Sequence, residues 1–359
     1  MPESLQNILK TILVKQDLVE LQGISSSSKA LLLSLFLNKE INPNKEKLPI
    51  IVVCESFDTA EILLKDIFFF FGEEGVHFFP FWDVLPYDNF SPHKALVAQR
   101  FQTLDALISK NINILVTTPN ALMQRFIPLD TFKQNTIFLN KKTENCEKNI
   151  QNKLFSSGYD LVDTVEDQGE FSVHGLVIDV FPINMQNPLR IEFAEGQKIL
   201  YMKLFDVQSQ RTYEKELVSI KILPANEILF DIKTVNFAFK KLSSLQNNCS
   251  SDVIKHLKHI LKNRERFPGI ESLSPLFYSK TETLFDYLPP NSLFVVDNEN
   301  NVENRADNFF KEVFMEYELS SEQNKLTIPP EKLFLSNREL KSQLKKNAKV
   351  FFNTKINNK

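Results

Sequence analysis

The chain has 359 residues, 43% hydrophobic and 24% charged, with 42 Lys and Arg against 45 Asp and Glu. That length exceeds what one core usually serves, so two or three domains are expected. The small acidic excess excludes a global drive toward nucleic acid or membrane. The three cysteines, Cys54, Cys146 and Cys249, share no C-x-x-C spacing, as expected of buried thiols in a reducing cytoplasm. Residues 1–10 lack a signal-type apolar core, and the apolar clusters at 30–37 and 67–71 are too short to span a membrane.

Residues 5–13 are apolar at helical spacing. Residues 19–21 read as a short strand ahead of Gly23, and 28–38 as a helix with Leu31, Leu32, Leu35 and Phe36 on one side. Polar residues and Pro43 mark 42–47 as a loop. The β-branched apolar run at 49–54 predicts a strand buried on both faces. A helix over 59–71 follows, with Asp58 as its N-cap. Strands over 76–79 and 112–117 flank a helix over 95–109. This alternation predicts a parallel sheet covered on both faces.

From residue 129 the pattern changes. A polar stretch, 140–148, and a helix over 149–155 precede short alternating strands at 171–173, 176–181, 189–193, 199–205 and 217–222. These predict a small antiparallel sheet. After Pro224 come helices over 235–245, 252–264 and 302–316, with a strand at 292–297. The expected fold class is α/β. A parallel-sheet, motor-like first domain over 1–128 plus 225–328 is interrupted by a small, mainly antiparallel α+β domain over 129–224. Residues 329–359 are expected to open a further domain with one helix and one strand.

The segment Gly23-Ile24-Ser25-Ser26-Ser27-Ser28-Lys29-Ala30 stands between strand and helix, where a phosphate loop would sit. That motif needs G-x-x-x-x-G-K-[ST]. Gly23 and Lys29 keep its spacing. Ser28 replaces the second glycine, whose missing Cβ lets backbone amides close on phosphate. Ala30 replaces the hydroxyl that would hold Mg²⁺. The expectation is a degenerate loop with a solvated Lys29, binding no ATP and no metal.

Two blocks carry more specific information. The first is the aromatic turn Phe79-Pro80-Phe81-Trp82-Asp83-Val84-Leu85-Pro86-Tyr87-Asp88-Asn89-Phe90, which runs through His93 into a helix and a strand ending Thr117-Thr118-Pro119. The second is Gly169-Glu170-Phe171-Ser172-Val173-His174-Gly175-Leu176-Val177-Ile178-Asp179-Val180-Phe181-Pro182. It is followed by Leu189-Arg190-Ile191-Glu192-Phe193 and by Phe205-Asp206-Val207-Gln208-Ser209-Gln210-Arg211-Thr212. In the same order and at a similar distance, these blocks resemble the N-terminal part of the bacterial transcription–repair coupling factors, the region similar to the excinuclease protein UvrB. UvrB carries a long β-hairpin after its aromatic turn. This chain has no room for one, so it resembles the coupling factors more.

The resemblance implies a recruitment module with no catalytic residues of its own. Its partner would be the excinuclease protein UvrA, linking stalled RNA polymerase to nucleotide excision repair in the cytoplasm. Polymerase and DNA would be met through domains further along the family, as would ATP and Mg²⁺. The implied partner-binding residues are Glu170, His174, Arg190, Phe193 and Arg211. Arg190 and Arg211 are the only arginines in 129–224, and an arginine fork suits bidentate pairing with carboxylates. Chemistry alone leaves local pairs open, Arg190 with Glu192 or Asp179 and Arg211 with Asp206. The chain departs from the family twice. His174 stands where an arginine is usual, and an aromatic pair is reduced to Phe193-Ala194. The small domain has eleven Lys and Arg against fourteen Asp and Glu, which disfavours DNA binding through it. His256-x-x-His259 lies among Lys255, Lys258 and Lys262 and reads as a solvated basic face rather than a metal site. His93 is expected to cap or pack, and Trp82 to anchor the core. Two further readings are a residual ATP-binding, helicase-like enzyme using Lys29 and a stand-alone repair adaptor.

Overall fold

A computed structural model describes residues 19–37, 49–142, 147–194, 198–244, 251–290, 292–323 and 325–353. The helix expected over 5–13, the loop over 42–47, Cys146 and Cys249 lie outside these residues. The first half alternates as its pattern requires: β1 (Val19–Gln22), α1 (Ser26–Phe36), β2 (Ile50–Val53), α2 (Phe57–Phe71), β3 (Val76–Phe79), α3 (Lys94–Ile108) and β4 (Ile114–Thr117). A short helix, α4 (Leu129–Asn135), leads into the small unit.

That unit holds β5 (Ile137–Asn140), α5 (Glu147–Ser156), β6 (Asp160–Leu161), β7 (Glu170–His174), β8 (Val177–Val180), β9 (Leu189–Phe193), β10 (Ile199–Phe205), β11 (Thr212–Glu216) and β12 (Ser219–Ile222). The chain then returns through α6 (Ile232–Ser244), α7 (Ser251–Asn263), β13 (Leu293–Asp297), α8 (Glu299–Glu322), α9 (Asn337–Asn347) and β14 (Ala348–Asn353).

Six strands form the large sheet in the order β1-β14-β13-β2-β4-β3, every neighbouring pair parallel. β2 and β4 are buried along their whole length because both faces are covered. α1 and α2 pack on one face with Val52, Ile114 and Val116, while α3 and the returning helices pack on the other with Ile51, Val53 and Leu115.

Three expectations are corrected. The N-cap of α2 is Ser56, whose hydroxyl accepts from the Thr59 N–H while the Thr59 hydroxyl accepts from the Ser56 N–H. Asp58 sits inside the first turn, where its charge favours the helix dipole. The strand expected over 217–222 belongs to neither end of the antiparallel sheet. β12 pairs instead with β5 in a separate ribbon. Last, β14 lies between β1 and β13, so residues 348–353 complete the first sheet rather than open a new domain.

The small sheet runs β11-β10-β9-β8-β7-β6, antiparallel except for the β6–β7 pair. Its core contains Phe171, Ile178, Val180, Leu189, Ile191, Phe193 and Met202, joined by Ile150 and Leu154 of α5. Phe132 of α4 packs with Phe101 and Tyr287 in the large core, so the small core begins at β5. The connecting segments are buried, with Ile127 at 0% and Leu223 at 1% exposure.

Candidate functional site

Strand alternation sorts the small sheet into two faces. Phe171, Val173, Ile178, Val180, Ile191 and Phe193 turn to the core. The other face carries two cross-strand rows. One is His174, Val177, Glu192 and Tyr201; the next is Ser172, Asp179, Arg190 and Lys203. The register thus brings His174 and Arg190 onto one face. Phe193 is on the opposite face at 2% exposure. This corrects its expected contact role, because its ring fills the core.

Arg190 is not a free fork. Its Nε and Nη2 donate to the two carboxylate oxygens of Asp179 at 2.8 and 2.7 Å, and Nη1 donates to the Gln210 carbonyl at 3.2 Å. Its guanidinium lies 4.8 Å from the centre of the Phe205 ring. The Asp179 hydrogen bonds hold the guanidinium proton more firmly than usual. Of the two local partners that chemistry left open, Asp179 is the one used. It is only 6% exposed, so the pair sits in a poorly hydrated spot.

The Phe205–Thr212 stretch forms a turn. Asp206 Oδ1 accepts from the Ser209 N–H at 2.9 Å and the Ser209 hydroxyl at 2.7 Å, which holds its carboxyl below the usual range. Gln210 takes a positive φ of 57° and donates to the Val207 and Val165 carbonyls. The turn closes over Arg190 and Phe205. Phe205, Phe181 and Val165 make a small second core on this face.

The remaining expected residues divide. Arg211 is exposed and has no ion-pair partner among the described residues. His174 is exposed, its Nε2 3.0 Å from the Asp163 carbonyl. Glu170 is engaged locally, accepting from the Glu166 and Asp167 N–H groups at 2.9 Å each. Sequence reasoning gave no contact role to Tyr201 and Glu192 in the outer row or to Lys203 in the row beside it. The Tyr201 hydroxyl donates to Glu192, which pushes the phenol up. The Lys203 ammonium lies 5.3 Å over the Tyr201 ring. Their positions were readable from the period of two along β9 and β10.

The degenerate phosphate loop is filled from within. Lys29 is buried at 7% exposure, and its Nζ donates to Asp297 Oδ1 at 2.6 Å. This corrects the expected solvated lysine. Asp297 closes the apolar run Leu293-Phe294-Val295-Val296, a strand-ending acid that went unmatched because it lies 268 residues beyond the loop. Burial raises its carboxyl while Lys29 pulls it down. Ala30 is fully buried, and the Ser25 and Ser28 hydroxyls bond each other at 3.0 Å. Trp82 is 7% exposed, and its Nε1 donates to Glu227 at 3.3 Å. The His93 ring caps α3 by accepting from the Ala95 N–H. No cluster of metal-ligating residues occurs among the described residues, and no described helix is long and apolar enough to cross a membrane.

Residues 137–228 match the UvrB interaction domain family. Over the wider chain, the transcription-repair-coupling factor of Haemophilus influenzae is 30% identical across 314 residues, 87% of this chain and 27% of that protein. The Escherichia coli factor is 30% identical across 311 residues, 85% of this chain and 26% of that protein. The Bacillus subtilis factor is 25% identical across 304 residues, 81% of this chain and 25% of that protein. The chain spans about a quarter of the length of these relatives. The family match covers the small core from β5 onward, and the aligned lengths of the relatives reach well beyond it. The chain is thus similar over most of its length to the N-terminal region of the transcription-repair-coupling factors, and its residues 137–228 match the UvrB interaction domain family.

Proposed function

We propose that the chain is a recruitment module whose small sheet docks the excinuclease protein UvrA, linking stalled RNA polymerase to nucleotide excision repair. The carrying observation is the match of residues 137–228 to the UvrB interaction domain family, on a unit whose outer sheet face keeps the row of His174, Glu192 and Tyr201 uncovered by the second core. On this reading Tyr201, Glu192, His174 and Arg211 meet the partner. Arg190 shapes the face through Asp179 and the Gln210 turn, offering only its outer edge. Arg211→Glu is expected to weaken binding to purified UvrA about tenfold or more. The unfolding midpoint should hold, because Arg211 is exposed and makes no ion pair among the described residues. Arg190→Glu is expected to lower both, since it sets two carboxylates together. If Arg211→Glu and Tyr201→Ala both bind like the unaltered chain, the docking face is elsewhere.

We further infer that the chain performs no ATP chemistry. Lys29 is committed to Asp297, and the positions for the second glycine and the Mg²⁺ hydroxyl are Ser28 and Ala30. Calorimetry with ATP and Mg²⁺ should give no binding heat. Micromolar binding lost in Lys29→Ala would reverse this conclusion and favour the nucleotide-dependent enzyme.

A further inference from the structure

Charge is unevenly spread over the molecule. Residues 232–264 hold seven Lys and Arg against one acid, Asp252, in a chain with 42 against 45 overall. This stretch forms α6 and α7, which pack on the large core through Ala238 and Leu242 and through Ile254, Leu257 and Leu261. On α7, Lys255, Lys258, His259 and Lys262 recur at i, i+3, i+4 and i+7, which places them on one face opposite those buried residues. On α6, Lys233 and Lys240 share a face in the same way. Lys255 has an exposed ion pair with Asp252 at 3.5 Å, which offsets little. Lys233, Lys240, Lys258 and Lys262 have no ion pair among the described residues.

Lysines stacked at helical spacing repel one another, a cost that a polyanion would relieve. Lys255 to Lys262 spans about 10 Å of helix axis, a length over which duplex DNA presents about six phosphate charges. A membrane surface fits less well. An interfacial helix turns its apolar side outward, whereas the apolar side of α7 is already spent on the core and its exposed positions are Asp252, Lys255, His256, His259, Lys262 and Asn263. An acidic protein partner fits less well too, because α7 offers no exposed aromatic or aliphatic anchor beside its charges and α6 offers a single one, Ile232, at its first position. The face also adjoins the proposed docking unit. Arg266, just past α7, donates to Asp160 of β6 at 3.0 Å.

We propose that the lysine face of α6 and α7 binds the phosphate backbone of duplex DNA without sequence preference. The contact is independent of the docking sheet and of the degenerate loop.

The test uses the full chain and a fluorescent duplex of arbitrary sequence, about 25 base pairs long, followed by anisotropy. With roughly three phosphates engaged, raising salt from about 50 to 200 mM should weaken binding about 40-fold. The triple variant Lys255→Gln, Lys258→Gln, Lys262→Gln should bind at least about tenfold more weakly at the lower salt, with most of the salt slope gone. A control triple on exposed lysines elsewhere, Lys153→Gln, Lys215→Gln, Lys311→Gln, should bind like the unaltered chain. Both triples should keep the unfolding midpoint, since these side chains make no buried contact. Absence of binding at the lower salt overturns the proposal. So does equal loss in both triples, or undiminished binding by the α7 triple. Capture of phosphatidylserine vesicles through the same lysines, without duplex binding, overturns it in favour of a membrane surface.

Discussion

Arg100 is 1% exposed and holds three parts of the chain together. Its Nε donates to Glu227 at 2.7 Å and its Nη1 to the Pro80 carbonyl at 2.7 Å, and the guanidinium lies 4.4 Å from the Phe79 ring centre. Burial pulls its pKa down, and the Glu227 carboxylate opposes that fall. The residue was not legible as buried from its type. Its spacing gave a signal, because it shares a helical stripe with Val97 and Leu104. What the sequence could not supply was Glu227, 127 residues away.

Glu271 lies in the same neighbourhood, 5% exposed, with Oε2 accepting from the Ser91 hydroxyl at 2.8 Å. Burial raises its carboxyl to about 7, with the Glu227 charge adding and Arg266 subtracting. The folded pKa is above the unfolded one, so the folded state binds the extra proton between about 4.5 and 7. Stability from this group is therefore full below the unfolded pKa and is lost as pH rises through 7. Glu271→Gln keeps an acceptor for Ser91 and removes the titration. At pH 8 the variant should be more stable by up to about 3 kcal/mol, and at pH 4 close to the unaltered chain. Urea midpoints measured across that range decide the matter. Parallel profiles for the two proteins would falsify the assignment.

At the scale of elements, regular strands and helices of the first half were readable because hydrophobic period and length agree there. β11 was missed because Thr212-Tyr213-Glu214-Lys215-Glu216 is exposed throughout and offers no apolar alternation. Its charges suit an edge strand, where they discourage pairing with another chain. The aromatic turn was recognisable as a unit, but its clamp was not. Gly269 takes φ +82°, and a Cβ there would meet the Asp88 carbonyl oxygen at 2.4 Å. Ser91 Oγ accepts from the Gly269 N–H, and the Tyr87 N–H donates to Ser272 Oγ. Glycine is needed because both the left-handed backbone and the close approach exclude a side chain. Gly269→Ala should cost about 2 kcal/mol or more. Trp82 is the only tryptophan, so its emission reports the turn directly. A red shift with a lowered midpoint is expected; unchanged emission and midpoint would show that the turn does not depend on this contact.

At the scale of the molecule, the interrupted arrangement was readable from the switch in strand character after residue 129. How the last residues return was not. Parallel strands are joined by long crossovers, so a strand's neighbours are remote in sequence. Residues 348–353 lie more than fifty residues beyond β13 and more than three hundred beyond β1, yet they pair with both. Val350 and Phe352 are fully buried and Phe351 is 6% exposed. Burying each such side chain contributes roughly 1.5–3 kcal/mol, against a total domain stability of about 5–15 kcal/mol. Removal would also leave β1 unpaired and one edge of β13 bare. A chain ended at residue 328 should therefore associate through those edges and lose the cooperative transition of the parallel sheet. The small unit has its own core, so residual structure from it should survive. Size-exclusion chromatography and thermal unfolding of chains 1–328 and 1–353 make the comparison. A monomeric 1–328 chain that melts at the same midpoint as 1–353 would mean that the sheet is complete without β14, and that residues beyond 328 do stand apart from it.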